Sequence, residues 1–176
     1  MRQIAIAVHS NYVEGLRQKI ELFIEALSQK CPDAVLLLGG YWGHMKDVVD
    51  AALARGLRAV LLVPIEREDV NFPEGAVVIK TGCEYRCRSV HLVRSADVVV
   101  VLGGGVGTVI EAFMAYAMGK PLYVLTGVGA SSDRLKEAFP YYFDERQVVK
   151  VTYVEDPRML AELACTAGEP VSTNFG

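Results

Sequence analysis

The stretch Asp97-Val98-Val99-Val100-Val101-Leu102-Gly103-Gly104-Gly105-Val106-Gly107-Thr108-Val109-Ile110-Glu111 decides the fold. Five aliphatic residues in succession follow Asp97. A short run that is apolar at every position, and not at every second one, reads as a strand buried on both faces. Gly103, Gly104, Gly105 and Gly107 then allow a sharp turn and a close approach of backbone to a ligand. From Thr108 to Met118 the pattern is helical, and Gly119 closes it. Strand, glycine turn and helix in that order belong to a parallel α/β sheet. No Gly-Lys-Ser/Thr follows, so the turn is not a P-loop. Nor is it a good Gly-x-Gly-x-x-Gly, and it follows the fourth main strand instead of the first.

The same alternation runs outward in both directions. Residues 4–8, 34–38, 58–63, 121–125 and 148–154 read as further strands, with a short extra one at 77–80. Between them, 14–29 carries Leu16, Ile20, Phe23, Ile24 and Leu27 at helical spacing, and 43–55 carries Met45, Val48, Val49, Ala52 and Leu53. Helices are also predicted at 83–96, 133–139 and 157–166, the last with Pro157 in its first turn. The predicted fold is a doubly wound, mainly parallel, Rossmann-like α/β sheet with helices on both faces. It forms one nucleotide-binding domain over residues 1–167, with a tail at 168–176. Ligands of such sheets bind outside the carboxyl ends of the strands, where strand order reverses. That places the candidate site in the loops 9–14, 39–43, 64–68, 103–108 and 126–132.

Composition narrows the class. The 176 residues are 52% hydrophobic and 22% charged, a globular balance. Lys plus Arg number 18 against 21 Asp plus Glu, a formal charge of −3, which argues against a dedicated nucleic-acid binder. No apolar run approaches the roughly 18 residues of a membrane span, and no secretory leader opens the chain. The expectation is a cytoplasmic protein without membrane contact. Cys31, Cys83, Cys87 and Cys165 are expected to be ordinary buried thiols, with a Cys31–Cys165 bond left open. The Cys83-x-x-x-Cys87 spacing is not that of a zinc or thioredoxin motif. His9, His44 and His91 show no ligand spacing, so no metal and no cofactor are expected.

Several residues carry possible chemistry. The turn at Gly104, Gly105, Val106, Gly107 and Thr108 opens a helix, whose free N–H groups and positive dipole end suit a phosphate. Glu111 has two readings. Thr108-x-x-Glu111 satisfies a capping box; alternatively, Glu111 is a carboxylate facing an anion site. A second glycine turn, Gly39-Gly40-Tyr41-Trp42-Gly43, also ends a strand and opens a helix, and Trp42 can stack on a ligand or pack. Lys80, Arg86, Arg88 and Arg94 crowd a stretch whose only acid is Glu84. The helix after the first glycine turn is apolar nearly all round, which predicts a homo-oligomer built from dimers.

Arg88, the segment Ser95-Ala96-Asp97, Gly104-Gly105-x-Gly107-Thr108-x-x-Glu111 and Gly119-Lys120-Pro121 resemble the LOG ("lonely guy") family, long labelled lysine decarboxylase-like. Gly39-Gly40-x-x-Gly43-x-Met45 resembles that family's earlier glycine turn. The resemblance covers roughly residues 1–150. It implies a phosphoribohydrolase that cleaves the N-glycosidic bond of a nucleoside monophosphate, releasing base and ribose 5-phosphate. It also implies catalytic roles for Arg88 and Glu111 and a phosphate cradle at Gly104, Gly105, Gly107 and Thr108. Gly103 stands where the family has Pro, Ser89 where it has Lys, and Tyr85 where it has Met. The broader group includes molybdenum-cofactor carrier-like relatives, so a non-catalytic carrier or sensor of a nucleotide-like small molecule is the alternative.

Overall fold

The computed structural model describes residues 1–174. Among them, seven strands form one sheet: β1 (Gln3–Val8), β2 (Val35–Leu38), β3 (Arg58–Val63), β4 (Val77–Lys80), β5 (Val98–Gly103), β6 (Leu122–Leu125) and β7 (Val151–Val154). The order is β4-β3-β2-β1-β5-β6-β7 and every pairing is parallel, so the sheet is wholly and not just mainly parallel. The helices are α1 (Leu16–Lys30), α2 (His44–Ala54), α3 (Tyr85–Ser95), α4 (Val106–Ala117), α5 (Arg134–Ala138) and α6 (Pro157–Thr166).

Alternate side chains of each strand feed two separate cores. Ile4, Ile6, Val98, Val100 and Leu102 pack with α1, α2 and α6 on one face. Ala5, Ala7, Val99 and Val101 pack with α3 and α4 on the other. All six residues of β5 are buried, as the unbroken apolar run required. Each fully buried Val or Leu there contributes roughly 1.5–3 kcal/mol by removal from water. On the α3/α4 face β1 offers only Ala5 and Ala7, which leaves those helices room to sit close beneath the crevice described below.

The chain moves outward from β1 to β4, then returns to β5 on the other side of β1. That reversal opens a crevice at the carboxyl ends of β1 and β5. The β1–β5 register shifts between Ala7 and Val8, and the His9 N–H donates to the Gly103 carbonyl at 2.9 Å. The loops after β1 and β5 are thereby fixed around one opening, and the His44 N–H donates to the His9 carbonyl at 3.1 Å, which joins the turn after β2 to them.

Two expectations are corrected, and the C-terminal segment adds a contact. α4 begins at Val106, two residues earlier than its sequence pattern suggests, with Gly105 as N-cap. Thr108 therefore lies inside the helix and the capping-box reading of Glu111 does not hold. The cysteines are not separate buried thiols: Cys31 is bonded to Cys165, and Cys83 to Cys87, with Cys87 exposed. The segment 168–174 docks on the fold. The Val171 N–H donates to the Gly119 carbonyl at 2.8 Å and Thr173 Oγ1 to the Ala117 carbonyl at 3.0 Å. Phe175 and Gly176, the end of the expected tail, lie outside the described residues.

Candidate functional site

The crevice is an open cavity of about 420 Å³. Four segments wall it: His9, Ser10 and Asn11 after β1; Gly39 and Trp42 after β2; Tyr85, Arg86 and Arg88 of α3; and Gly105, Val106, Gly107, Thr108 and Glu111 around the start of α4. Arg67, from the loop after β3, reaches its rim. Of the residues singled out in the sequence, Arg88, Glu111, Gly39, Gly105, Val106, Gly107 and Thr108 line this one opening.

Gly40, Gly43 and Gly104 support it from behind. A side chain at Gly40 would meet the Trp42 ring. Gly43 has φ 54° and a Cβ there would lie 2.0 Å from the Ser10 carbonyl oxygen, so only glycine fits the N-cap of α2. Gly104 is held by Ser132: its N–H donates to Ser132 Oγ at 3.0 Å, and its carbonyl accepts from the Ser132 N–H at 3.0 Å. Its N–H is thus already used and faces the 126–132 loop.

At the floor sits a buried ion pair. Arg88 is 5% exposed and Glu111 7%, with Arg88 Nη1 at 3.5 Å from Glu111 Oε1. The same carboxylate oxygen accepts a hydrogen bond from Ser89 Oγ at 2.8 Å. Burial pushes the Glu111 carboxyl above its ordinary range, while Arg88, Ser89 and, more weakly, Arg86 pull it back. Burial likewise lowers the Arg88 guanidinium from its ordinary value, against the pull of Glu111. Arg88 Nε is buried with no hydrogen-bond partner. Buried donors are seldom left unpaired, so this donor stands out beside the Arg88–Glu111 pair.

Two more features favour an anion beside it. Gly105 offers no side-chain cap to α4, so the N–H groups of the first turn have no intrahelical acceptor. Arg67 and Arg86 add positive charge to the rim, and Glu111 is the only acid in the lining. His9 stands opposite the turn. Its Nδ1 accepts the Asn11 N–H at 3.2 Å, which assigns the proton of the neutral ring to Nε2, the atom nearest Gly105.

An aromatic wall lines the other side. Trp42 and Tyr85 meet edge to face with centroids 6.3 Å apart. The Arg67 guanidinium lies 5.1 Å from the Trp42 ring centre, and its Nε donates to Tyr85 Oη at 3.2 Å. A planar ring has a surface there on which to stack.

Ser89 and Ser132 were not recognised as site residues from the sequence. Ser89 showed only as a substitution against a family pattern, though its place next to Arg88 on a helix was a usable signal. Ser132 closes the candidate loop 126–132, but nothing marked it individually; it reaches Gly104 from a different crossover.

The sequence profile of the SLOG cluster4 family matches residues 24–160. No curated protein matches the chain significantly. Solved structures do. TM1055 superimposes with a TM-score of 0.82 and 28% identity, covering 93% of this chain and 98% of its own. The molybdenum cofactor binding protein of Rippkaea orientalis gives 0.71 and 21%, over 92% and 94%. The molybdenum cofactor carrier protein of Chlamydomonas reinhardtii gives 0.71 and 19%, over 92% and 94%. At those two lower identities the likeness is one of fold. Among the described residues no helix is long and apolar enough to cross a membrane.

Proposed function

The chain belongs to the SLOG cluster4 family, and from that premise we propose that it binds a nucleotide-like phosphate ester in the β1/β5 crevice and hydrolyses its N-glycosidic bond. The observation that carries the reading is the Arg88–Glu111 pair, buried on the cavity floor beside the uncapped start of α4, with Arg88 Nε unsatisfied. Phosphate seats on the N–H groups of Val106, Gly107 and Thr108. The base stacks on the Trp42 side. The sugar then lies over the floor.

Cleavage breaks the bond from the sugar's anomeric carbon to the base nitrogen through an oxocarbenium-like state, as in glycoside hydrolysis. Charged Glu111 stabilises that cation and, with its carboxyl raised by burial, accepts a proton from the attacking water. The hydroxyl adds to the anomeric carbon, and the leaving base takes up the proton that Glu111 accepted, which returns Glu111 to its charged form. Arg88 orients the carboxylate and donates to phosphate or sugar oxygen.

A second reading is carriage without turnover. It is supported by the overlap with a molybdenum cofactor binding protein and a molybdenum cofactor carrier protein. One assay separates the two. The protein is incubated with a panel of nucleoside monophosphates, and released base is measured by chromatography alongside binding. Hydrolysis predicts free base in the wild type and at least about a 10²-fold loss of turnover in Glu111→Gln with binding retained. Binding with no base released from any nucleotide selects carriage.

A further inference from the structure

Outside the crevice, on the opposite side of the first turns of α3, three soft ligands converge. Cys83 precedes the N-cap residue Glu84, Cys87 lies in the first turn and His91 one turn further on. Helical spacing of four residues stacks the last two on one face, and the chain entering the helix brings Cys83 back beside them. His91 Nε2 lies 3.4 Å from Cys83 Sγ and 4.0 Å from Cys87 Sγ. All three ligand atoms fall within 4.8 Å of one another. Cys87 and His91 are exposed and Cys83 half-buried, so the cluster opens to solvent. The two sulfurs are the only polar partners of the His91 ring among the described residues.

We propose that, once the Cys83–Cys87 bond is reduced, Cys83, Cys87 and His91 form a binding site for a thiophilic cation of the Zn²⁺ type. Two thiolates and an imidazole are a donor set selective for such ions over hard cations. With Zn–S near 2.3 Å and Zn–N near 2.0 Å, tetrahedral ligands stand about 3.5 Å apart. The observed separations are of that order, and rotation about the two cysteine side chains supplies the rest. Water fills the fourth position on the exposed side. Glu84 does not compete, because its carboxylate oxygens accept the Arg86 and Cys87 N–H groups at 2.8 and 2.6 Å.

The chemistry balances simply. A dithiol gives two electrons and two protons to the Cys83–Cys87 bond and is itself oxidised to a disulfide. Zn²⁺ then displaces both thiol protons, which go to buffer. The inference does not depend on what the crevice binds. It has a bearing on it, because Arg86 and Arg88 stand in the same turn, and the Cys83 carbonyl accepts the Ile65 N–H at 2.9 Å, which ties in the loop carrying Arg67. An ion at this site pins that turn and the crevice rim together.

The test uses the full chain, reduced and checked by thiol titration, with Co²⁺ as spectroscopic probe and Zn²⁺ in competition with a chromophoric chelator. One ion per chain is expected, with a thiolate-to-Co²⁺ charge-transfer band. The band should be absent from oxidised protein. Loss of partners that only orient a ligand already costs 10–100-fold in metal affinity, so Cys87→Ser, Cys83→Ser and His91→Ala should each weaken Zn²⁺ at least about tenfold. All three side chains are exposed or half-buried, and circular dichroism should show the variants folded. Absence of stoichiometric binding by the reduced wild type overturns the inference. So does binding that survives both Cys87→Ser and His91→Ala.

Discussion

Replacing Gly39 with alanine tests the geometry of the site without altering any charged group. A Cβ built at Gly39 lies 1.3 Å from Arg88 Nη1, 2.3 Å from Cζ and 2.9 Å from Nη2. No packing adjustment of a few tenths of an ångström relieves that, so the guanidinium must leave its place. Gly39 does not have a positive φ, so the cost is the collision and its consequences, not backbone strain. Overfilling a packed site costs about 1–3 kcal/mol. Removing one member of a buried pair costs about 3–5 kcal/mol. Here the displaced Arg88 can turn into the open crevice and be hydrated, and Glu111, already raised by burial, can take up a proton. The expected loss is therefore about 2–4 kcal/mol, below the simple sum of the two costs. For a chain of this length that lowers Tm by roughly 4–16 °C. Thermal unfolding measures it, and calorimetric titration with a nucleoside monophosphate should show affinity reduced at least about tenfold if Arg88 contacts the ligand. Gly40→Ala is the comparison for Tm alone: its Cβ meets the half-buried Trp42 ring and not the buried ion pair, so its effect on Tm should be smaller. A Gly39→Ala protein with unchanged Tm and unchanged affinity would refute the placement of Arg88 beneath the β2 turn.

Three further outcomes are expected. Because the Glu111 carboxyl is raised in the fold, the native state holds its proton where the unfolded chain has released it, so its contribution to stability falls as pH rises from the ordinary carboxyl value of 4.5 through the native one; urea unfolding across that range should show a flatter slope in Glu111→Gln. Lys120 is 8% exposed and its Nζ donates to the Arg94 and Ala96 carbonyls at 3.1 and 2.6 Å, so Lys120→Met should leave both unpaired and destabilise by about 1–3 kcal/mol in the same assay. Val106 is 77% exposed and Phe113 37% on α4, an apolar edge that fits self-association, so light scattering at micromolar concentration should report a species heavier than one chain, and Phe113→Glu should shift it toward the monomer.

Periodicity alone carried the architecture. The unbroken apolar run of β5, the helical stripe of α1 and the glycine turn after residue 102 each hold their meaning locally, because burial on two faces, amphipathic packing and positive φ are demands on adjacent residues. Arg88 and the residues around α4's start were legible for the same reason: an arginine in a stretch with one acid and a glycine-dense helix start are local patterns. What Glu111 does was not legible. A helix that starts two residues earlier turns a cap into a buried carboxylate, and the turn before it is held at Gly104 by Ser132 from another crossover. The pairing of Arg88 with Glu111, the requirement for glycine at position 39 beneath that arginine, and the meeting of Cys83 with His91 likewise depend on chain segments brought together by the sheet or by the path into α3. Sequence spacing determines which side chains share an element. Which side chains share a site depends on where the parallel sheet reverses its order, and only the folded chain decides that.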